Sequence, residues 1–151
     1  MRYAMLLVTL AGAAILAAAR PPQQGPAPAR KIPCKTPENA SMCYWTRGRL
    51  SVYEGWPPWR MWKVGTNRLL GIYSGPSTWA VPDLRSNDAA NPEFPANLVR
   101  AYPQPPKSAI PPAVFGDFEI CPLDEDRPGV MQHACIESAK NIFVQKPDES
   151  R

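Results

Sequence analysis

Proline confines the strands that this chain can form. Twenty of its 151 residues are proline, and proline neither donates to a strand ladder nor sits inside a central strand. Pro76, Pro82, Pro92, Pro95, Pro103, Pro105, Pro106, Pro111 and Pro112 crowd into residues 74–112. That segment is expected to be a long irregular excursion, with one short helix at 95–100 whose first turn holds Pro95. Leu84, Phe94, Leu98 and Tyr102 are its apolar anchors. A loop of that length is uncommon in a compact domain unless it has a function or is disordered.

Outside the excursion the apolar residues recur with a period of two, the signature of half-buried strands. Residues 44–53 place Gly48, Leu50 and Val52 against Arg47, Arg49, Ser51 and Tyr53. Glu54-Gly55-Trp56-Pro57-Pro58 breaks that strand. A second is expected at 59–64, with Trp62 and Val64 on one side and Met61 and Lys63 on the other. Gly65-Thr66-Asn67 turns the chain into a third, 68–73, which points Leu70 and Ile72 one way. A fourth, 113–121, alternates Val114, Gly116, Phe118 and Ile120 with Phe115, Asp117 and Glu119. A fifth follows at 132–138 and a sixth at 141–144. The fold class is therefore all-β: a small antiparallel sandwich, or a partly open barrel, of six or seven short strands.

The ends are different in kind. Arg2 precedes an uncharged apolar run from Ala4 to Ala18, and Ala17-Ala18-Ala19 supplies small residues at its end. This is the pattern of a secretory signal, residues 1–19, cleaved between Ala19 and Arg20. Residues 20–33 hold five prolines and almost no large apolar groups, so they read as a flexible linker. The folded domain is expected at 34–145, with a loose tail at 146–151. No membrane span remains after cleavage. The chain is then exported, periplasmic or secreted.

An even number of cysteines after a signal sequence points to disulfides. The four are Cys34, Cys43, Cys121 and Cys135. Local pairing, Cys34–Cys43 and Cys121–Cys135, is favoured because each pair brackets a proline-containing loop; the crossed pairings remain open. Structural zinc sites use cysteines two to four residues apart, whereas eight and thirteen residues separate these, so no metal is expected. Asn39-Ala40-Ser41 is a glycosylation sequon for a eukaryotic host.

Four of the five tryptophans, Trp45, Trp56, Trp59 and Trp62, lie in residues 43–73, with Arg47, Arg49, Arg60, Lys63 and Arg68 against one acid, Glu54. Tryptophan faces and arginine forks together bind glycans or anionic polymers. The candidate ligand-binding residues are Trp56, Trp59, Arg60, Arg47, Arg49 and Tyr53, with Trp56 and Trp59 the most exposed because they flank Pro57-Pro58. On the competing reading the aromatics, Trp45 and Trp62 above all, fill the core. The arginines would then face Asp117, Glu119 and the acidic loop Asp124-Glu125-Asp126. His133 is the single histidine and stands without an expected nucleophile. Asp124-x-Asp126 begins like a calcium loop but puts Pro128 and Cys135 where ligands belong. No catalytic residue and no cofactor is expected.

The order of Gly48-Arg49-Leu50, Gly55-Trp56-Pro57, the strand from Arg60 to Val64 and Gly116-Asp117-Phe118 resembles prealbumin-type β-sandwiches, the group of transthyretin-like secreted proteins and carboxypeptidase regulatory domains. The resemblance implies a sandwich and transfers no active site. Export makes a nucleic-acid role unlooked for, and the pI of 9.0 suits an acidic partner, an anionic glycan or an envelope protein.

Overall fold

A computed structural model describes residues 30–80, 87–102 and 111–145. The expected signal sequence, the Ala19–Arg20 cleavage point, linker residues 20–29, Leu84 and the tail 146–151 lie outside the described residues.

Five strands form one closed barrel in the order β1-β2-β3-β5-β4: β1 Tyr44–Val52, β2 Trp59–Lys63, β3 Leu69–Ile72, β4 Val114–Pro122 and β5 Gln132–Val144. The all-β expectation holds; the sandwich implied by the resemblance gives way to a barrel. β1 is long enough to share its backbone groups, pairing through Gly48–Val52 with β2 and through Tyr44–Leu50 with β4. That offset rolls the sheet onto itself and leaves no second layer. The sheet is not purely antiparallel either, because β3 runs parallel to β5 over Leu70–Ile72. The connectivity is that of a five-stranded Greek-key barrel of the OB type. The expected fifth and sixth strands are one. Asn141 takes a positive φ of 52° and sits at a bulge between the pairs Phe115–Phe143 and Asp117–Lys140, so the strand bends instead of ending.

Inward side chains of alternate parity fill the barrel: Leu50, Met61, Leu70, Ile72, Val114, Phe118, Ile120, Ala134 and Ile136. The excursion carries three short helices, α1 Pro76–Trp79, α2 Asn87–Ala90 and α3 Ala96–Ala101, where one was expected. The helix α3 closes one end of the barrel. Leu98 is buried there, and Phe94 and Tyr102 meet Trp59 edge-on at 5.0 and 6.0 Å between ring centroids. The Tyr102 hydroxyl donates to Pro112 O at 3.1 Å. Burial pushes the Tyr102 phenol up to about 12.

The disulfides are long-range and nested, Cys34–Cys135 and Cys43–Cys121, which corrects the local pairing. Cys121 and Cys135 are opposite one another on β4 and β5 and project from the sheet side by side. The segment 34–43 lies over both, so each sulfur meets a partner above it. Long-range pairing also encloses longer loops, with sequence separations of 101 and 78. In the chain-entropy account a loop of about 100 residues contributes about 4.7 kcal/mol and one of about 15 residues about 3. Such pairs fit a protein that folds in an oxidising compartment. Among the described residues no helix is long and apolar enough to cross a membrane.

Two expectations near the N-terminus change. Residues 30–33 are anchored, not linker. The half-buried Arg30 guanidinium donates to Ile136 O at 2.6 Å and to Ser74 O, while Glu93 accepts the Lys31 and Ile32 amides at 2.8 and 2.9 Å. Asn39 is buried; its Oδ1 accepts from Thr36 N at 2.7 Å and its Nδ2 donates to Cys34 O at 2.8 Å. The folded domain therefore offers no free amide at the sequon.

Cleavage after Glu38 and Glu125 under non-reducing conditions should leave the fragment holding Cys34 joined to the one holding Cys135, while Cys43–Cys121 closes the 39–125 fragment internally. A recovered Cys34–Cys43 pair would refute the nested arrangement. The plug that α3, Phe94 and Tyr102 make at one end of the barrel predicts a pH dependence as well. The unfolded Tyr102 phenol ionises near 10 and the folded one near 12. Its contribution is full below about pH 10 and is lost as the pH rises through about 12. Tyr102→Phe should flatten that alkaline decline in chemical unfolding, after costing about 0.5–1.5 kcal/mol at neutral pH for the lost hydrogen bond.

Candidate binding face

Because β1 lies between β2 and β4, its outward side chains stand in the middle of a four-strand wall. Across that wall the register lines up Trp62 on β2, Arg49 on β1, Phe115 on β4 and Phe143 on β5. Trp62 and Phe143 are 39% and 61% exposed. The Arg49 guanidinium lies over the Phe115 ring, 5.9 Å from its centroid. Farther along β1, Trp45 is 45% exposed, with Lys140 Nζ 4.1 Å from its ring centroid.

Toward the other end of β1 two arginines converge on one tyrosine. Arg49 Nη1 donates to the Tyr53 hydroxyl at 2.7 Å, and Arg60 lies over the Tyr53 ring, 5.9 Å from its centroid. Arg60 Nε donates to Pro57 O at 2.8 Å, which ties β2 to the turn before it.

The candidates named from sequence therefore separate. Arg49, Tyr53 and Arg60 come together. Arg47 does not join them; it meets Asp117 at 3.3 Å. Asn141 and then Arg47 hold the Asp117 carboxyl below its usual range. Both groups are accessible, and such pairs are worth about 0–1 kcal/mol. Trp59, expected at the surface, points inward and packs on the plug, since it shares the parity of Met61. Trp56 is 38% exposed but belongs to a turn folded over β3, where Pro57 packs on Gly71. A Cβ at Gly71 would come within 2.8 Å of Pro57 Cγ and 3.0 Å of His133 Cδ2, so this crossing requires glycine.

Trp45 and Trp62, which the competing reading put in the core, are exposed instead; Phe115, Lys140 and Phe143 were not singled out from sequence. For Trp62 the signal was present: Arg60 must face water, and Trp62 has the same parity. The others depend on the β1–β4 and β4–β5 registers, between residues far apart in the chain.

His133 has a structural setting. Its Nδ1 donates to Asp124 Oδ2 at 2.6 Å, and its amide donates to Asp124 Oδ1 at 2.8 Å. Trp79 stacks on the ring at 4.1 Å and Tyr73 meets it edge-on at 5.6 Å. Burial pushes the Tyr73 phenol up. The ring thus joins the acidic loop, α1 and β3, under cover of Trp79. Asp126 pairs with Arg68 instead. Among the described residues no three side chains of His, Cys, Asp or Glu are grouped to hold a metal. A groove of about 390 Å³ lies by the disulfides, lined by Pro33, Asn39, Met42, Pro76, Pro122 and Leu123 among others.

Comparison with protein-family models, with curated proteins and with solved structures gives no match.

The two tryptophans on β2 should respond oppositely to truncation. Trp59→Ala should cost about 3 kcal/mol, the low end of the range for a large aromatic, because the ring is partly buried against the core, and Trp62→Ala no more than about 0.5 kcal/mol. Urea unfolding of both variants tests this, and a harmless Trp59→Ala would contradict the inward placement.

Proposed function

We propose that this protein is a non-catalytic binding domain of an exported protein, and that the outer wall around β1 takes an extended extracellular or envelope ligand. The observation that carries the reading is the exposure of Trp45 and Trp62 on that wall, while aliphatic residues and Phe118 fill the barrel. Exposed apolar groups gathered on one face and rimmed by polar residues mark interaction surfaces. The two disulfides suit an oxidising, extracytoplasmic setting.

The architecture is compatible. Barrels of the OB type bind oligonucleotides and oligosaccharides on the face of strands 2 and 3 and the adjoining loops; Arg60 and Trp62 lie on β2 and Trp56 in the loop before it. That is analogy of fold, and a fold hosts many functions. The wall itself supports a flat polymer, because three rings and one cation, Trp62, Arg49, Phe115 and Phe143, stand in one line across four strands. A glycan suits it best: sugar faces stack on indole, and hydroxyl or acidic groups reach the arginines.

An accessory domain without a ligand is the competing reading. It is favoured by Trp59 and Trp79, which serve packing, and by the pairing of Arg47 and Arg68 with acids.

Affinity electrophoresis through gels containing individual polysaccharides would decide. Trp45→Ala and Trp62→Ala should each weaken retardation roughly tenfold, in line with about 1–3 kcal/mol for a stacked ring, with thermal unfolding unchanged. Binding unaltered in both variants, or no retardation in any gel, would leave the accessory reading.

A further inference from the structure

Resting on that reading, we infer that Arg49 and Arg60 form an oxyanion subsite, and that the ligand is an acidic glycan carrying carboxylate or sulfate groups. Four ion pairs are found among the described residues, and they involve Lys35, Arg47, Arg68 and His133. Arg49 and Arg60 have no carboxylate within 4.0 Å there, and Glu54 in the adjoining turn pairs with neither. Their fixed contacts consume few of their donors. Arg49 gives one N–H to the Tyr53 hydroxyl and Arg60 gives Nε–H to Pro57 O, from five N–H groups on each guanidinium.

Tyr53 holds both cations in place, one by its hydroxyl and one over its ring. Two like charges brought to one phenol repel each other, and an anion bridging them removes that cost. A planar oxyanion matches the guanidinium fork, and orientation fixed beforehand limits the entropy lost on binding. Gly55 keeps the approach open: a Cβ there would stand 2.9 Å from Arg60 Nη2, and its φ is +92°.

The position of Trp62 turns an anion site into a sugar-acid site. It is directly opposite Arg49 in the β1–β2 register and two residues from Arg60 on the same outward side of β2. Residues i and i+2 of a strand are about 6.5–7 Å apart. A sugar ring stacked on the exposed indole therefore carries its acidic substituent to the arginine pair. Phe115 continues the line past Arg49 toward Phe143, and accommodates the next residue of a polymer.

The test uses the whole protein and three probes of one scale: dextran sulfate, polygalacturonate and neutral dextran, with affinities measured at 150 mM salt to screen distant charge. Arg49→Gln and Arg60→Gln should each weaken binding of the acidic probe tenfold or more. Arg47→Gln removes the same formal charge from a residue paired with Asp117 and should change it less than twofold. Neutral dextran should bind at least tenfold more weakly than the acidic probe. Retention of dextran sulfate alone assigns sulfate to the subsite, and retention of polygalacturonate alone assigns carboxylate; either supports it. Equal losses in the three arginine variants would reduce the effect to general charge and overturn the subsite. Neutral dextran bound as tightly, with dependence on Trp62, would overturn the subsite and leave the binding domain standing. No binding of any probe, together with no retardation in the wider polysaccharide panel, would overturn both. Thermal unfolding of each variant guards against a loosened turn at Pro57, and Arg49→Gln, which leaves the Arg60–Pro57 bond intact, keeps the subsite testable if Arg60→Gln unfolds.

Discussion

The backbone pairing of β1 with β4 closes the barrel, and most of what distinguishes this surface follows from it. Without that ladder β1 would be an edge and its outward side chains a margin. With it, Arg49 has Trp62 on one side and Phe115 on the other, and Trp45 comes within reach of Lys140. The closure also dictates what the excursion does. A closed sheet has two open ends, and α3 with Phe94, Leu98 and Tyr102 covers one of them around Trp59.

The charges sort themselves by the same geometry. The basic run of residues 43–73 looks uniform in sequence, but its members meet different fates. Arg47 faces Asp117 across the β1–β4 ladder and Arg68 reaches Asp126. Lys63 lies over Tyr44, 4.9 Å from the ring centroid. Arg49 and Arg60 are left with a tyrosine between them. Neutralisation by the acidic segment 117–126 is therefore real but partial: among the described residues Lys63, Arg49 and Arg60 pair with no acid, and the last two meet at one tyrosine.

Strand positions were legible in the sequence because period-two alternation and proline exclusion are local. The first four strands match to within one or two residues at each end, and the one expected helix is displaced by a single residue. Closure, the parallel β3–β5 joint and the disulfide pairing were not legible, since each joins residues many tens apart and none leaves a local pattern. The split of strands five and six failed because Asn141 carries a left-handed bulge, which composition alone presents as a turn. In the candidate site, Arg49, Tyr53 and Arg60 were found from clustering. Trp59 was misplaced because flanking prolines suggested exposure, whereas its parity with Met61 turns it inward. Lys140 and Phe143 come from another part of the chain altogether.

Both disulfides join the segment ahead of the barrel to its last two strands. Every peptide bond from residue 44 to residue 120 therefore lies within two covalent loops, one nested in the other. A protease that cuts the proline-rich excursion produces two fragments that remain one molecule, with the β1–β4 ladder beside the links. Backbone continuity through the excursion is dispensable to holding the sheet's two halves together. The domain is thus equipped to outlast a nick in that segment.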